Sequence, residues 1–251
     1  MVCHFLSENI CIFANYNGEK SVITPADKAG EASRKGSHDE ETIEPGMMIN
    51  NVADSCKQQI LRGVVWLSRI HRCRGFGIQS PWAYRMVRYV INEHCPYYGY
   101  ADMERALPHL DALTRKTAKL CFRLSNHLQP RLIADLGAQQ KVYGAYFRAG
   151  CHRAAYKTGE AAMAAMTEAD IIRISPVDDE FAVSLVVDAA MSSAHEGAMV
   201  LLHDIHRHAG MRRCWQTIVE QTPGVVTFDL YYCGLVFFEK KRYKQNYIIN
   251  F

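Results

Sequence analysis

Two short stretches of this chain carry side chains whose types and spacing could do chemistry. The first is Asp135-Leu136-Gly137-Ala138, which closes the apolar run Leu132-Ile133-Ala134. An apolar run ending in Asp-Leu-Gly reads as a buried strand that turns at Gly137 into a helix. In open α/β folds that turn lies at the sheet edge where ligands bind. Asp135, Gly137 and Ala138 are therefore the candidate cofactor-binding residues. Gln139, Gln140 and Lys141 come next, so the further glycines that let a backbone approach a ligand closely are missing. The second stretch is His203-Asp204-Ile205-His206-Arg207-His208. Imidazole and carboxylate together could hold a metal or remove a proton from an accepting hydroxyl. Asp204 and His206 are the candidate catalytic residues, and no metal site is assigned. The plainer alternative is that Asp204 caps the next helix while His206 and His208 are solvated.

The elements that must position these residues are legible in the periodicity. Strand candidates are 132–136, 154–157, 171–174, 199–202, 225–230 and 235–239. Helical stretches 142–148, 161–168, 179–194 and 211–221 alternate with the earlier ones. Alternation of this kind implies a mostly parallel sheet covered on both faces. The last two strands are close enough, with Gly234 between them, to form a hairpin. Ahead of the sheet, Val52, Cys56, Ile60, Val64 and Leu67 recur at helical spacing. Ser80 and Pro81 read as N-cap and first residue of a second helix. A third helix spans about 111–128 and ends at Pro130. Tyr97, Tyr98 and Tyr100 read as a turn-rich patch that, with Trp82, lines a pocket or closes the helices on the sheet.

Composition sets the outer bounds. The chain has 251 residues, 49% hydrophobic and 22% charged, enough to bury a sizeable core. Nine scattered cysteines form no Cys-x-x-Cys pair. That spacing argues for reduced thiols in the cytoplasm and against a disulfide framework or structural zinc. No apolar run reaches the roughly 18 residues of a spanning helix, and the opening Met1-Val2-Cys3-His4 lacks the basic start of a secretory signal. Residues 1–50 hold eight acids and four bases, whereas the remainder holds 18 acids and 25 bases. Between Asp54 and Glu93 there is no acid, but Lys57, Arg62, Arg69, Arg72, Arg74, Arg85 and Arg88 all occur. Such a one-sign stretch can attract nucleic acid or another anionic surface, or be a solvated face. The expected organisation is a flexible extension over 1–46, a helical segment over 47–129 and a Rossmann-like domain over 130–251.

The C-terminal third, Leu202-His203-Asp204-Ile205-His206 through Trp215, Gly234-Leu235-Val236-Phe237-Phe238 and Lys244-Gln245-Asn246-Tyr247, resembles a class I S-adenosylmethionine-dependent methyltransferase-like family common in Bacteroidetes. Gly77-Ile78-Gln79-Ser80-Pro81-Trp82 and Leu120-Cys121-Phe122-Arg123-Leu124 match the same family, so the similarity covers roughly 55–251. The resemblance implies a Rossmann-like class I methyltransferase fold, a mostly parallel sheet with a C-terminal antiparallel hairpin, preceded by N-terminal helices. It also implies S-adenosylmethionine as cofactor and methyl transfer to an acceptor that the sequence does not name.

The chain departs from the family pattern at three places. The glycine-rich turn carries Gln139, Gln140 and Lys141. The acid expected at the end of the second strand is replaced by Tyr156-Lys157-Thr158, with Glu160 displaced. An Ile-Asp-Gly segment becomes Ile174-Ser175-Pro176. The connection after the second strand also reads short. Two functions follow from these residues. One is an S-adenosylmethionine-dependent methyltransferase in which Asp204 or His206 deprotonates the acceptor. The other is an inactive methyltransferase-fold protein acting as a binding or scaffold module, through the basic N-terminal helices.

Overall fold

The computed structural model describes residues 60–61, 63–72, 75, 77–239 and 243–251. The expected extension over 1–46, and residues 52–59 and 62 of the expected helix over 52–69, lie outside them. The chain divides into two compact units, 1–65 and 66–251. Of the first, residues 60–61 and 63–65 are described, and all are helical.

The second unit begins with helices. Ser80 caps α1 (Pro81–Met86), its side chain accepting from the Ala83 N–H, and Pro81 sits at the first position, as the sequence implies. The helix widens into a π turn over Val87–Ile91. Buried Arg123 donates through Nε to the Val90 carbonyl and through Nη2 to the Ile91 carbonyl at the end of that turn. Then come α2 (Tyr98–Ala106) and α3 (Ala112–Leu128). The Asp111 carboxylate caps α3 by accepting from Leu113 N and Thr114 N. Helix α2 corrects the sequence reading of that stretch as turns. Its glycine and exposed Tyr98 conceal a helix held by the Tyr97–Tyr100–Phe122 ring cluster.

After Pro130 the period switches to strands. The order is β1 (Leu132–Leu136), α4 (Gln140–Gly150), β2 (Ala155–Thr158), α5 (Gly159–Ala164), β3 (Ile171–Ile174), α6 (Glu180–Ser193), β4 (Met199–His203), α7 (Ala209–Gln221), β5 (Val225–Asp229), β6 (Cys233–Phe238) and β7 (Gln245–Ile248). The sheet runs β2-β1-β3-β4-β6-β5-β7. Strand β6 is antiparallel to both β4 and β5; the other pairings are parallel. A single six-residue helix links β2 to β3, the short connection that the sequence anticipated.

Two details of the hairpin differ from expectation. Gly234 lies inside β6 rather than in the turn. A Cβ there would stand 2.4 Å from the Trp215 ring, so glycine is required to seat α7 on the sheet. The left-handed turn position is taken by Tyr231, φ 70°. Strand β7 was not anticipated. It pairs in parallel with β5 from a polar tail whose strand character comes only from that partner.

Helices α1, α3 and α4 share one core with Ile133, Ile171, Met199, Leu201, Phe228, Leu235 and Phe237 on one face of the sheet. Trp82 is part of it, its ring edge-on to Phe237 at 5.2 Å, so this tryptophan closes helix on sheet. Among the described residues no helix is long and apolar enough to cross a membrane.

Candidate functional site

Side chains on a strand alternate between faces, and that period builds the first cluster. Tyr156 of β2, Asp135 of β1, Arg173 of β3 and His203 of β4 fall on the same face of four adjacent strands. Asp135 and Arg173 are direct register partners. Both are buried, the Arg173 side chain 1% exposed and that of Asp135 not at all. Arg173 Nη1 donates to Asp135 Oδ1 at 2.5 Å, Nη2 to the Ala138 carbonyl at 2.7 Å, and Nε to His203 Nε2 at 3.0 Å. The guanidinium lies 3.6 Å from the centroid of the Tyr143 ring, which α4 lowers onto it.

Each donor of the guanidinium fixes the state of its neighbour. His203 must accept through Nε2, so it is the neutral tautomer protonated at Nδ1. Burial, and then the Arg173 charge, hold it well below the ordinary imidazole value. Tyr156 donates to Asp135 Oδ2 in a very short contact. Burial and the Asp135 charge push its phenol far above the ordinary range. Burial raises Tyr143 to about 12.

The three residues expected to hold a cofactor are brought together here, and all are consumed internally. Asp135 Oδ1 accepts from Gly137 N at 2.8 Å as well as from Arg173. Ala138 N donates to Ser175 Oγ at 2.6 Å while its carbonyl takes Arg173. A Cβ on Gly137 would meet the Arg173 guanidinium at 2.5 Å. The space that glycine vacates is therefore filled by protein. At the end of β2, where an acid would hold ribose hydroxyls, stands Thr158, with Lys157 exposed beside it. Both oxygens of Asp135 and the space beside Gly137 are thus occupied by the chain's own groups.

The second cluster lies beyond the first along the sheet, with β5 two strand intervals past β4. His206, in the loop after β4, meets Asp229 at the end of β5, with Nε2 2.7 Å from Oδ2. Arg69 Nη1 donates to Asp229 Oδ1 at 2.9 Å and to the Ile249 carbonyl. The Tyr231 ring stacks on His206 at 5.2 Å and 19°, with Arg69 over the same ring. His206 is 29% exposed, Asp229 11% and Arg69 12%. This is an imidazole oriented by a carboxylate that a guanidinium fixes in turn, an arrangement able to take up a proton. His206 comes from the loop after β4, and Arg69 and Asp229 are 160 residues apart, so no sequence spacing announced either as a partner of His206.

Asp204 does not join that cluster. It stands at φ 54°, and its carboxylate takes Arg207 at 3.2 Å within its own loop. Burial pushes its carboxyl above the ordinary aspartate range despite that pairing. The helix cap that Asp204 was a candidate for is made by His208, whose Nδ1 accepts from Met211 N. Among the described residues no cluster of three or more His, Cys, Asp or Glu could hold a metal.

Asp229 yields a pH prediction. Burial pushes its carboxyl up, but the hydrogen bonds from His206 and Arg69 more than offset this and leave it below the ordinary aspartate value of 3.8. A depressed carboxyl stabilises the fold above its unfolded value, and that contribution is lost as pH falls through the folded value. Wild-type protein should therefore lose stability below about pH 4 more steeply than Asp229→Asn. Urea midpoints measured between pH 7 and pH 3 check this, and parallel curves would remove the ion pair from the account.

The strand order, crossovers and antiparallel β5–β6 hairpin define a Rossmann-like, mostly parallel α/β fold. No family model matches the sequence, and no curated protein is detectably similar. Solved structures of similar chains include the SAH-bound Podospora anserina methyltransferase PaMTH1. It is 9% identical, with 65% of this chain and 98% of that one covered and a TM-score of 0.42. A methyltransferase from Geobacter sulfurreducens is 14% identical over 59% of this chain and 92% of its own, with a TM-score of 0.41. The O-methyltransferase from Bacillus cereus in complex with SAH is 14% identical over 59% and 94%, with a TM-score of 0.38. At these values the likenesses carry no argument about chemistry, and the class rests on the sheet itself.

Proposed function

We propose that this chain is a methyltransferase-like protein that keeps the class I fold, has lost S-adenosylmethionine and works by binding. The observation that carries the reading is the internal saturation of Asp135, Gly137 and Ala138 by Arg173, Tyr156 and Ser175. Altered residues at the end of β2 and at Ser175-Pro176 support it. Isothermal titration of folded protein with S-adenosylmethionine and S-adenosylhomocysteine, to high micromolar concentration, gives no heat on this reading. Saturable binding of either would sink it.

A second reading, an active S-adenosylmethionine-dependent methyltransferase of unknown acceptor, is favoured by the part-exposed His206–Asp229 pair. That pair is a ready general base at the same edge of the sheet. Against it, β1 and β5 are separated by β3, β4 and β6, about 19 Å at ordinary strand spacing. The same titration decides between the two. Among the described residues Cys95, Cys121, Cys151, Cys214 and Cys233 are free thiols, which supports placing the protein in the cytoplasm.

A further inference from the structure

Helix α1 and its π turn bury Ala83, Met86, Val87, Val90 and Ile91. The other side presents Tyr84, Arg85, Arg88 and Tyr89 to solvent, the two rings 40% and 59% exposed. Neither Arg85 nor Arg88 has an ion-pair or hydrogen-bond partner among the described residues. Arg85 instead faces another basic group: after burial, its charge holds His127, at the end of α3, below the ordinary imidazole value. The face is also held rigid. Arg123 pins the carbonyls of Val90 and Ile91 from beneath. Gly75, at φ 78°, lies so close under Tyr84 that a Cβ would stand 2.9 Å from the ring. Arg72, which ends the short turn Ile70–Arg72 three residues before Gly75, is exposed. No acid occurs between Asp54 and Glu93, and Glu93 itself accepts from the Tyr97 hydroxyl.

We propose that this face binds single-stranded nucleic acid. Guanidiniums interleaved with exposed aromatic rings on a fixed platform suit a strand that offers phosphates and unstacked bases in alternation. Arg72, Arg85 and Arg88 meet phosphates, while Tyr84 and Tyr89 stack on bases. Acidic peptides and anionic headgroups would use the guanidiniums but leave the ring faces idle. The assignment does not depend on whether the turn at Gly137 accepts a cofactor.

The test is fluorescence anisotropy of the full chain with labelled 15-nucleotide oligo-U and oligo-dT. Micromolar binding in 50 mM salt is expected, with a log–log salt slope of about −2 for three phosphate contacts. Arg85→Gln with Arg88→Gln should weaken binding and reduce the slope by about 1.4. Tyr89→Leu should lose about tenfold in affinity with the slope unchanged. Thermal melts matching wild type establish that these exposed substitutions leave the fold intact. Three results overturn the proposal. One is no binding at low salt. Another is Tyr89→Leu binding as tightly as wild type. The third is poly-glutamate or phosphatidylserine vesicles competing as well as unlabelled oligonucleotide.

Discussion

Arg173→Met should lower the unfolding free energy by about 3–5 kcal/mol, because it leaves Asp135 buried as an uncompensated charge. The side chain is of similar length and apolar, so lost packing is a minor part of the effect. Asp135 keeps hydrogen bonds from Gly137 N and Tyr156, but neither supplies a positive charge. The Ala138 carbonyl and His203 Nε2 lose their donor as well, each at about 1–3 kcal/mol when left unsatisfied in a dry site. Adding Asp135→Asn to Arg173→Met removes the unpaired charge, so the double variant should be more stable than the single one. Urea denaturation of the four proteins forms a double-mutant cycle. A single-variant loss below about 1 kcal/mol would mean that water reaches the pair and that the row across β2-β1-β3-β4 is not a sealed unit.

The second large effect is expected at Gly150, the last residue of α4. A Cβ there would stand 2.3 Å from the Phe122 carbonyl oxygen and 3.1 Å from Asn126 N, both backbone atoms of α3. Backbone cannot rotate away as a side chain can, so Gly150→Ala must push α3 and α4 apart. Overpacking of this kind costs about 1–3 kcal/mol and sometimes more. We expect about 3, near the top of that range, because these two helices form the most extensive helix–helix contact among the described residues. Gly144→Ala is the informative comparison. The atoms nearest its Cβ would belong to Tyr156, the closest ring carbon at 2.6 Å, a side chain with some freedom to shift, although moving it would disturb Tyr156 on Asp135. Thermal unfolding of both variants tests the ordering. Equal stability of Gly150→Ala and wild type would contradict the helix spacing described.

Much of the fold could be read from the chain because its determinants are local. Ser80-Pro81 and Asp111 announce helix starts through chemistry confined to one turn. The largely apolar runs at 132–136, 171–174 and 199–202 announce buried strands because parallel strands are covered on both faces. Helix α2 and strand β7 escaped for the opposite reason. The Tyr98–Ala106 segment has a solvent-exposed start, and Gln245–Ile248 is a polar edge strand, so each owes its form to a partner distant in sequence.

The candidate site divides along the same line. Residue type and spacing alone determined that Asp135 and Gly137 end the first strand, that bulky side chains follow them, and that His206 lies at the carboxyl edge beyond β4. Tertiary structure alone decided what those groups face. Arg173 reads in sequence as a charged interruption of an apolar strand. Only register with β1 places its guanidinium on Asp135, under Gly137 and against Tyr143. Sequence proximity suggested Asp204 as the acid beside His206, but the left-handed backbone at Asp204 turns its carboxylate to Arg207, and the sheet order brings Asp229 to His206 instead. Strand identity is set by short-range periodicity that one chain displays along its length. Charge pairing across a sheet is set by strand order and register, which arise only when distant segments bury their apolar faces together.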